Sequence, residues 1–262
     1  MMTAATQSPY VRSAQGVAGY SPANHTGTSN QRLVSRDTVG AKYMEVLIGT
    51  IVKGHGATRH FHPGLEQAGF MFQGAGISEM DGAETEARPG VWRHYRKGVP
   101  HRVTVTSDEP FVTIVVYAPP YAENREAVVL CEDNSSPGHA AASALGTQSA
   151  IAKRPRFDSP HYAGARFEPI INAEKSGAEH MEVFDVHLAV GGGTSLQTLL
   201  GMEQVFFVRS GKLVGEIAGE TFEANPGDFV FIPDGVSHAY TAPDASGTEA
   251  FLIRAFANAE QE

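Results

Sequence analysis

The chain has 262 residues, 42% of them hydrophobic, with a single cysteine and a formal charge of -9 from 20 basic and 29 acidic side chains. That length allows one large or two small domains with proper cores, and an acidic balance with no dense Lys/Arg run argues against nucleic acid as a partner. Cys131 cannot form an internal disulfide, no window approaches the roughly 18 apolar residues of a transmembrane helix, and no charged start leads into an apolar stretch, so a soluble protein of the reducing cytoplasm, with no membrane partner, is expected.

Residues 1–31 mix Ser, Thr, Ala, Gly, Asn and Gln too weakly to pattern as helix or strand and are read as a mobile or draped arm. From Arg32 the texture turns to short β-rich runs: Tyr43–Val52, Gln67–Phe72, Ile77–Met80, Val91–Tyr95, Arg102–Thr106 and Phe111–Tyr117. Gly, Pro and Asp separate them, as in an antiparallel sandwich or barrel. Residues 133–166 carry linker composition with room for a short helix over Ala140–Ala144. Strand texture then returns at Met181–Val190, Thr194–Leu200, Gln204–Arg209, Leu213–Ile217, Asp228–Ile232 and Ala250–Phe256.

Shifting the chain by 137 residues superimposes the two β-rich regions without a gap. Gly54 falls on Gly191, Gly56 on Gly193, Gly64 on Gly201, Glu66-Gln67 on Glu203-Gln204, Gly74 on Gly211, Pro89-Gly90 on Pro226-Gly227, and His101 on His238. Glycines and prolines recurring at equivalent turns are what two copies of one β architecture need. The expected division is therefore an arm at 1–31, a barrel at 32–132, a linker at 133–166 and a second barrel at 167–262.

The chemistry concentrates in Gly54-His55-Gly56-Ala57-Thr58-Arg59-His60-Phe61-His62, with His101 following 39 residues after His62. On a strand alternate side chains share a face, so His60 and His62 can serve one metal ion. His25, His55, His94, His139, His161, His180 and His187 lie off this pattern and are expected to be solvated.

These motifs resemble the cupin superfamily, specifically a bicupin: all-β, with two tandem jelly-roll barrels. Gly54, His60, His62 and Gly74 fit its first motif. Pro226-Gly227-Asp228 to Pro233-Asp234-Gly235-Val236-Ser237-His238 fit the second, of which the N-terminal copy keeps Pro89-Gly90, Gly98 and His101 but has Val91 and Arg96 for the Asp and Pro. The resemblance implies one divalent metal ion, Fe(II) first with Mn, Ni or Zn as alternatives, held by His60, His62, His101 and a fourth residue. Spacing from His62 gives Glu66 for that fourth ligand and the repeat gives Gln67. A neutral amide there leaves the metal its full charge and favours a substrate with negative oxygens.

Arg59 and Arg102 each adjoin a ligand and are expected to point away from the metal. Arg93 is a candidate clamp for a substrate carboxylate and Tyr95 for orienting oxygen or a proton; a Glu66 off the metal could serve as general base. In the second copy Gln197 and Leu199 replace the paired histidines, so that barrel is expected to be metal-free and structural, with a ligand pocket at Gln197, Gln204 and His238 as the alternative. The function implied is a metal-dependent dioxygenase acting on a small oxygen-chelating substrate. The alternatives are a redox-neutral metalloenzyme (isomerase, lyase, cyclase or amidohydrolase) and a non-catalytic ligand-binding bicupin. Monomer and homodimer are both compatible.

Overall fold

A computed structural model describes residues 8–131, 157 and 159–257. The first half contributes β1 (Val11–Arg12), β2 (His25–Val34), β3 (Glu45–Ala57), β4 (His60–Phe61), β5 (Glu66–Gln73), β6 (Gly76–Met80), β7 (Ala83–Ala87), β8 (Trp92–Tyr95), β9 (His101–Val105), β10 (Phe111–Ala118) and β11 (Val129–Leu130). The second contributes β12 (Tyr162–Ile171), β13 (Met181–Thr198), β14 (Met202–Ser210), β15 (Leu213–Ile217), β16 (Glu220–Ala224), β17 (Phe229–Ile232), β18 (Ser237–Thr241) and β19 (Thr248–Phe256). Two all-β sheets result. One runs β11-β4-β9-β3-β10-β5-β8, with β2 on β3, β6 on β9 and β7 on β6; the other runs β1-β17-β14-β19-β13-β18-β15-β16, with β12 on β13.

Several strands depart from the expected bounds. The presumed arm supplies β1 to the second sheet and β2 to the first. All of β2 but Leu33 and Val34 is polar or glycine (His25-Thr-Gly-Thr-Ser-Asn-Gln-Arg32), which hides it from a hydrophobicity pattern, yet Thr28 and Asn30 are buried. β12 likewise begins inside the expected linker. The short helix expected over Ala140–Ala144 lies outside the described residues. The paired runs Met181–Val190 and Thr194–Leu200 form one strand, because the Gly191-Gly192-Gly193 stretch bends the chain without breaking the sheet.

The repeat register holds in three dimensions. One-turn helices at Arg36–Val39 and Ala173–Ser176 are capped by Ser35 and Asn172 and closed by Gly40 and Gly177 in the left-handed conformation (φ 75 and 69). Gly56 and Gly193 sit where strands cross: a Cβ on them would lie 1.8 Å from the Val103 carbonyl oxygen and 1.9 Å from that of Tyr240. Only glycine permits that approach.

Alternation along the strands decides what faces what. Phe70 and Trp92 turn out of the first barrel and meet Phe251 at 4.6 and 5.3 Å, while Phe72 meets Phe207 at 5.3 Å. One continuous apolar cluster thus draws Val46, Ile114 and Val116 from the first barrel and Val183, Val205, Phe229 and Ile253 from the second. The second barrel thus packs against the first. Its interior is filled by Phe184, Val186, Leu188, Phe206, Leu213, Ile217 and neighbours, whereas the first barrel has two smaller clusters with a cavity between. Among the described residues no helix is long and apolar enough to cross a membrane.

Candidate metal centre

His60 opens on β4, pairs with His101 on β9, and His62 follows one residue beyond β4. All three imidazoles are buried at 3–4% exposure, and their ligating nitrogens lie within 4.8 Å of one another. Each Nδ1 is placed against a backbone carbonyl: His60 on Thr58 (2.6 Å), His62 on Ala127 (2.7 Å) and His101 on Val99 (2.9 Å). A carbonyl can only accept, so each Nδ1 carries the proton and each Nε2 a lone pair. That is the tautomer a metal requires. Burial, reinforced by the neighbouring His62, pushes His60 down to about 3; burial and His60 drive His101 well below the ordinary histidine value; burial also lowers His62 against the pull of the Ala127 carbonyl. All three are neutral near pH 7, so no proton competes with a cation.

Gln67 stands beside these three nitrogens. Its Oε1 lies 3.0 Å from His101 Nε2, which puts two acceptors face to face. Rotating the amide would satisfy that pair alone. A cation satisfies it together with His62 Nε2, which is buried with no hydrogen-bond partner among the described residues. The donor set, three nitrogens and one amide oxygen, fits a divalent ion and adds no negative charge.

Glu66, one residue earlier, faces the other way, as alternation along β5 dictates. Its carboxylate accepts from the backbone N–H groups of Glu179 (2.8 Å) and His180 (2.9 Å) in the second barrel, with His94 Nε2 at 3.6 Å. Burial pushes its pKa up, but His94 and those N–H groups outweigh it and hold it below the usual value. Glu66, a candidate ligand or general base by sequence, is thus directed at the second barrel rather than at the three histidines. His94, expected to be solvated, is the buried partner of that carboxylate.

Tyr95 does reach the site. It pairs with Gln67, stacks on His101 (4.3 Å, 21° between planes), and its hydroxyl lies 3.0 Å from Ser78 Oγ. Arg93, on the same face of β8, lines the cavity and donates to Thr85 Oγ1 (2.8 Å) and to the Glu86 carbonyl. Arg59 points away as expected, its Nε 2.9 Å from Glu79. Arg102 reaches the same carboxylate at 3.5 Å but also borders the cavity.

The cavity, of about 80 Å³, runs from His60, Gln67 and His101 past Tyr95 toward Arg88, Arg93 and Arg102, and among the described residues no Asp or Glu lines it. Space of that size suits a few waters or a ligand of few heavy atoms. Three neighbours escaped sequence reasoning. Tyr117 and Tyr121 each stand 5.6 Å from His62, ring to ring, and His25 stands 6.1 Å from His60. The signal for His25 was the 137-residue register carried upstream, where Gly27 and Gly40 fall on Gly164 and Gly177. In the second barrel Gln204 Nε2 and His238 Nε2 are 3.5 Å apart, and Gln197 donates to Tyr162 and Thr194, so these groups mostly answer one another.

Solved structures with this fold include oxalate decarboxylase from Bacillus subtilis (TM-score 0.65, 12% identity, covering 97% of this chain and 78% of that one). They also include a formate complex of oxalate decarboxylase from Lactobacillus farciminis (0.63, 13%, 98% and 88%). Salicylate 1,2-dioxygenase from Pseudoaminobacter salicylatoxidans with gentisate is a third (0.61, 16%, 82% and 69%). No curated protein sequence matches the chain. The cupin domain signature matches twice, over residues 47–117 and 184–253, once in each barrel. Two sheets of one pattern, each carrying that signature and joined by a shared apolar core, make this chain a two-barrel member of the cupin family.

Proposed function

We propose that the chain is a mononuclear metal-dependent oxygenase of the dioxygenase type, acting on a small organic acid or enol that chelates through negatively charged oxygen. The observation that carries this reading is the charge of the site: three neutral imidazoles and an amide converge at one end of a cavity bordered by Arg88, Arg93 and Arg102 and, among the described residues, by no carboxylate. A divalent ion there keeps its full charge and is neutralised by the substrate. His60, His62, His101 and Gln67 hold the ion, Fe(II) first with Mn, Ni or Zn as alternatives. The ion supplies Lewis acidity and a path for electrons from substrate to oxygen. Arg93 clamps a substrate carboxylate from β8. Tyr95 braces His101 by stacking and keeps its hydroxyl on Ser78. The buried walls keep bulk water from the reacting atoms.

The fold is shared with a dioxygenase and with decarboxylases, so the second reading is a redox-neutral metalloenzyme. On that reading Glu66 would have to leave its bonds to the Glu179 and His180 N–H groups to act as a base. The test is metal analysis followed by oxygen uptake with catechols, hydroxybenzoates, flavonols and β-diketones. One equivalent of iron and substrate-dependent oxygen consumption support the oxygenase; turnover that persists without oxygen moves the assignment to the redox-neutral class.

A further inference from the structure

His25 borders the cavity but belongs to neither histidine motif. It opens β2, and what turns it inward is a bulge: pairing with β3 jumps from Thr26 opposite Gly56 to Thr28 opposite Ile51, with Gly27 between them at φ +53. The ring of His55 packs over that bulge so closely that a Cβ on Gly27 would meet it at 2.5 Å. The second barrel repeats the device. Gly164 (φ +58) lies between Ala163 opposite Gly193 and Ala165 opposite Leu188, and Tyr162 occupies the place of His25. There the residue addresses the counterpart of a metal ligand directly: the Tyr162 hydroxyl accepts from Gln197 Nε2 at 3.1 Å, and Gln197 stands where the first barrel has His60.

In the first barrel the corresponding contact is open. The rings of His25 and His60 are 6.1 Å apart, no hydrogen bond joins them, and His25 is not among the histidines whose nitrogens gather within 4.8 Å. His25 Nδ1 donates to the Ala23 carbonyl (2.8 Å), which leaves Nε2 as an acceptor, and that atom has no hydrogen bond among the described residues. An acceptor held beside a metal ligand, across a gap that the second barrel closes with a direct bond, is set to receive a proton donor bound between them.

We propose that His25 is a substrate-contacting residue whose Nε2 accepts a hydrogen bond from a hydroxyl on the metal-bound ligand. It thereby selects chelators that keep one O–H beside their chelating oxygen, such as catechol monoanions and α-hydroxy acids, over chelators with none. This rests on the oxygen-chelating substrate proposed above.

The test uses the full chain loaded with Co(II), titrated with catechol and, separately, with oxalate, which has no hydroxyl at neutral pH, following the cobalt visible bands. His25→Ala is expected to keep one equivalent of cobalt, to bind catechol at least tenfold more weakly than wild type, and to bind oxalate within threefold of it. His25→Gln, which retains an acceptor oxygen, is expected to recover most of the catechol affinity. Loss of cobalt from His25→Ala would make His25 a ligand and overturn the proposal. Equal weakening toward both chelators, or none toward catechol, overturns it too. A wild-type protein that binds cobalt but neither chelator removes the oxygen-chelating reading itself, and the His25 contact with it.

Discussion

Glu66 and Glu203 hold the two barrels together by the same bond made in opposite directions. Glu66 accepts from the N–H groups of Glu179 and His180, and Glu203 accepts from those of Lys42 (2.7 Å) and Tyr43 (2.8 Å). The shift of 137 that carries Glu66 onto Glu203 also carries 42 and 43 onto 179 and 180. Each carboxylate is 1% exposed, so removing one strands two N–H groups in the interface. At about 1–3 kcal/mol for each unmet buried group, Glu66→Ala is expected to lower the melting temperature by several degrees while metal content stays at the wild-type level. If metal is lost and stability unchanged in calorimetry and elemental analysis, Glu66 belongs to the metal site after all.

The two clasps titrate differently because Glu66 has His94 beside it and Glu203 has Phe231 at that place. Burial raises the pKa of Glu203 and its N–H partners recover only part of the loss. A carboxyl raised on folding contributes most below its unfolded pKa, and that contribution fades as pH rises through the folded value. Glu203→Gln, whose amide does not titrate, should therefore be less destabilising relative to wild type at pH 7 than at pH 4. Urea unfolding at the two pH values measures this; a penalty that grows toward pH 7 would contradict it.

Gln67→Glu would put a negative charge where the site has none. Metal affinity is expected to rise by tenfold or more, and affinity for an anionic chelator to fall by a similar factor, since the ion's charge is then shared with the protein. Isothermal titration with Mn(II), then with oxalate, reads both. Opposite movement of the two constants supports Gln67 as a ligand, and unchanged metal affinity counts against it.

Arg93 is held by the β6–β7 hairpin through Thr85 and the Glu86 carbonyl and, among the described residues, is paired with no acid. Its positive charge is thus available to a carboxylate. Arg93→Met is expected to raise KM for an acidic substrate tenfold to a hundredfold with little change in metal content. A pure loss of kcat would point to a role other than clamping.

Phe251 joins the barrels, touching Phe70, Trp92 and Phe207 with the Arg209 guanidinium 4.4 Å above its ring. Phe251→Ala is expected to cost about 3–5 kcal/mol. Because the apolar cluster is continuous between barrels, calorimetry should still show one unfolding transition; two separated transitions would mean the halves fold independently.

The fold was legible because turns are written in glycine and proline, and those recur at a constant interval. The histidine motif was legible because period-two spacing survives any uncertainty in strand ends. Glu66 against Gln67 was not, since neighbours on a strand differ only in face, and the face is fixed by which sheet packs outside. His94 was expected to be solvated because it lies outside the metal motif, and its burial follows from its partner Glu66 at the contact with the second barrel. β2 was missed because its mostly polar run buries Thr28 and Asn30 without an apolar pattern, and β7 because Ala83-Glu-Thr-Glu-Ala is nearly all exposed.

The strand Val11–Arg12 precedes the first barrel in the chain yet pairs with Val230 and Phe229 of the second, burying Val11 there. Two copies joined simply end to end would each be self-sufficient and could be separated, shuffled or expressed alone. Here the segment ahead of one copy completes the other. Excising the first half together with the segment ahead of it would therefore also strip an edge strand from the second.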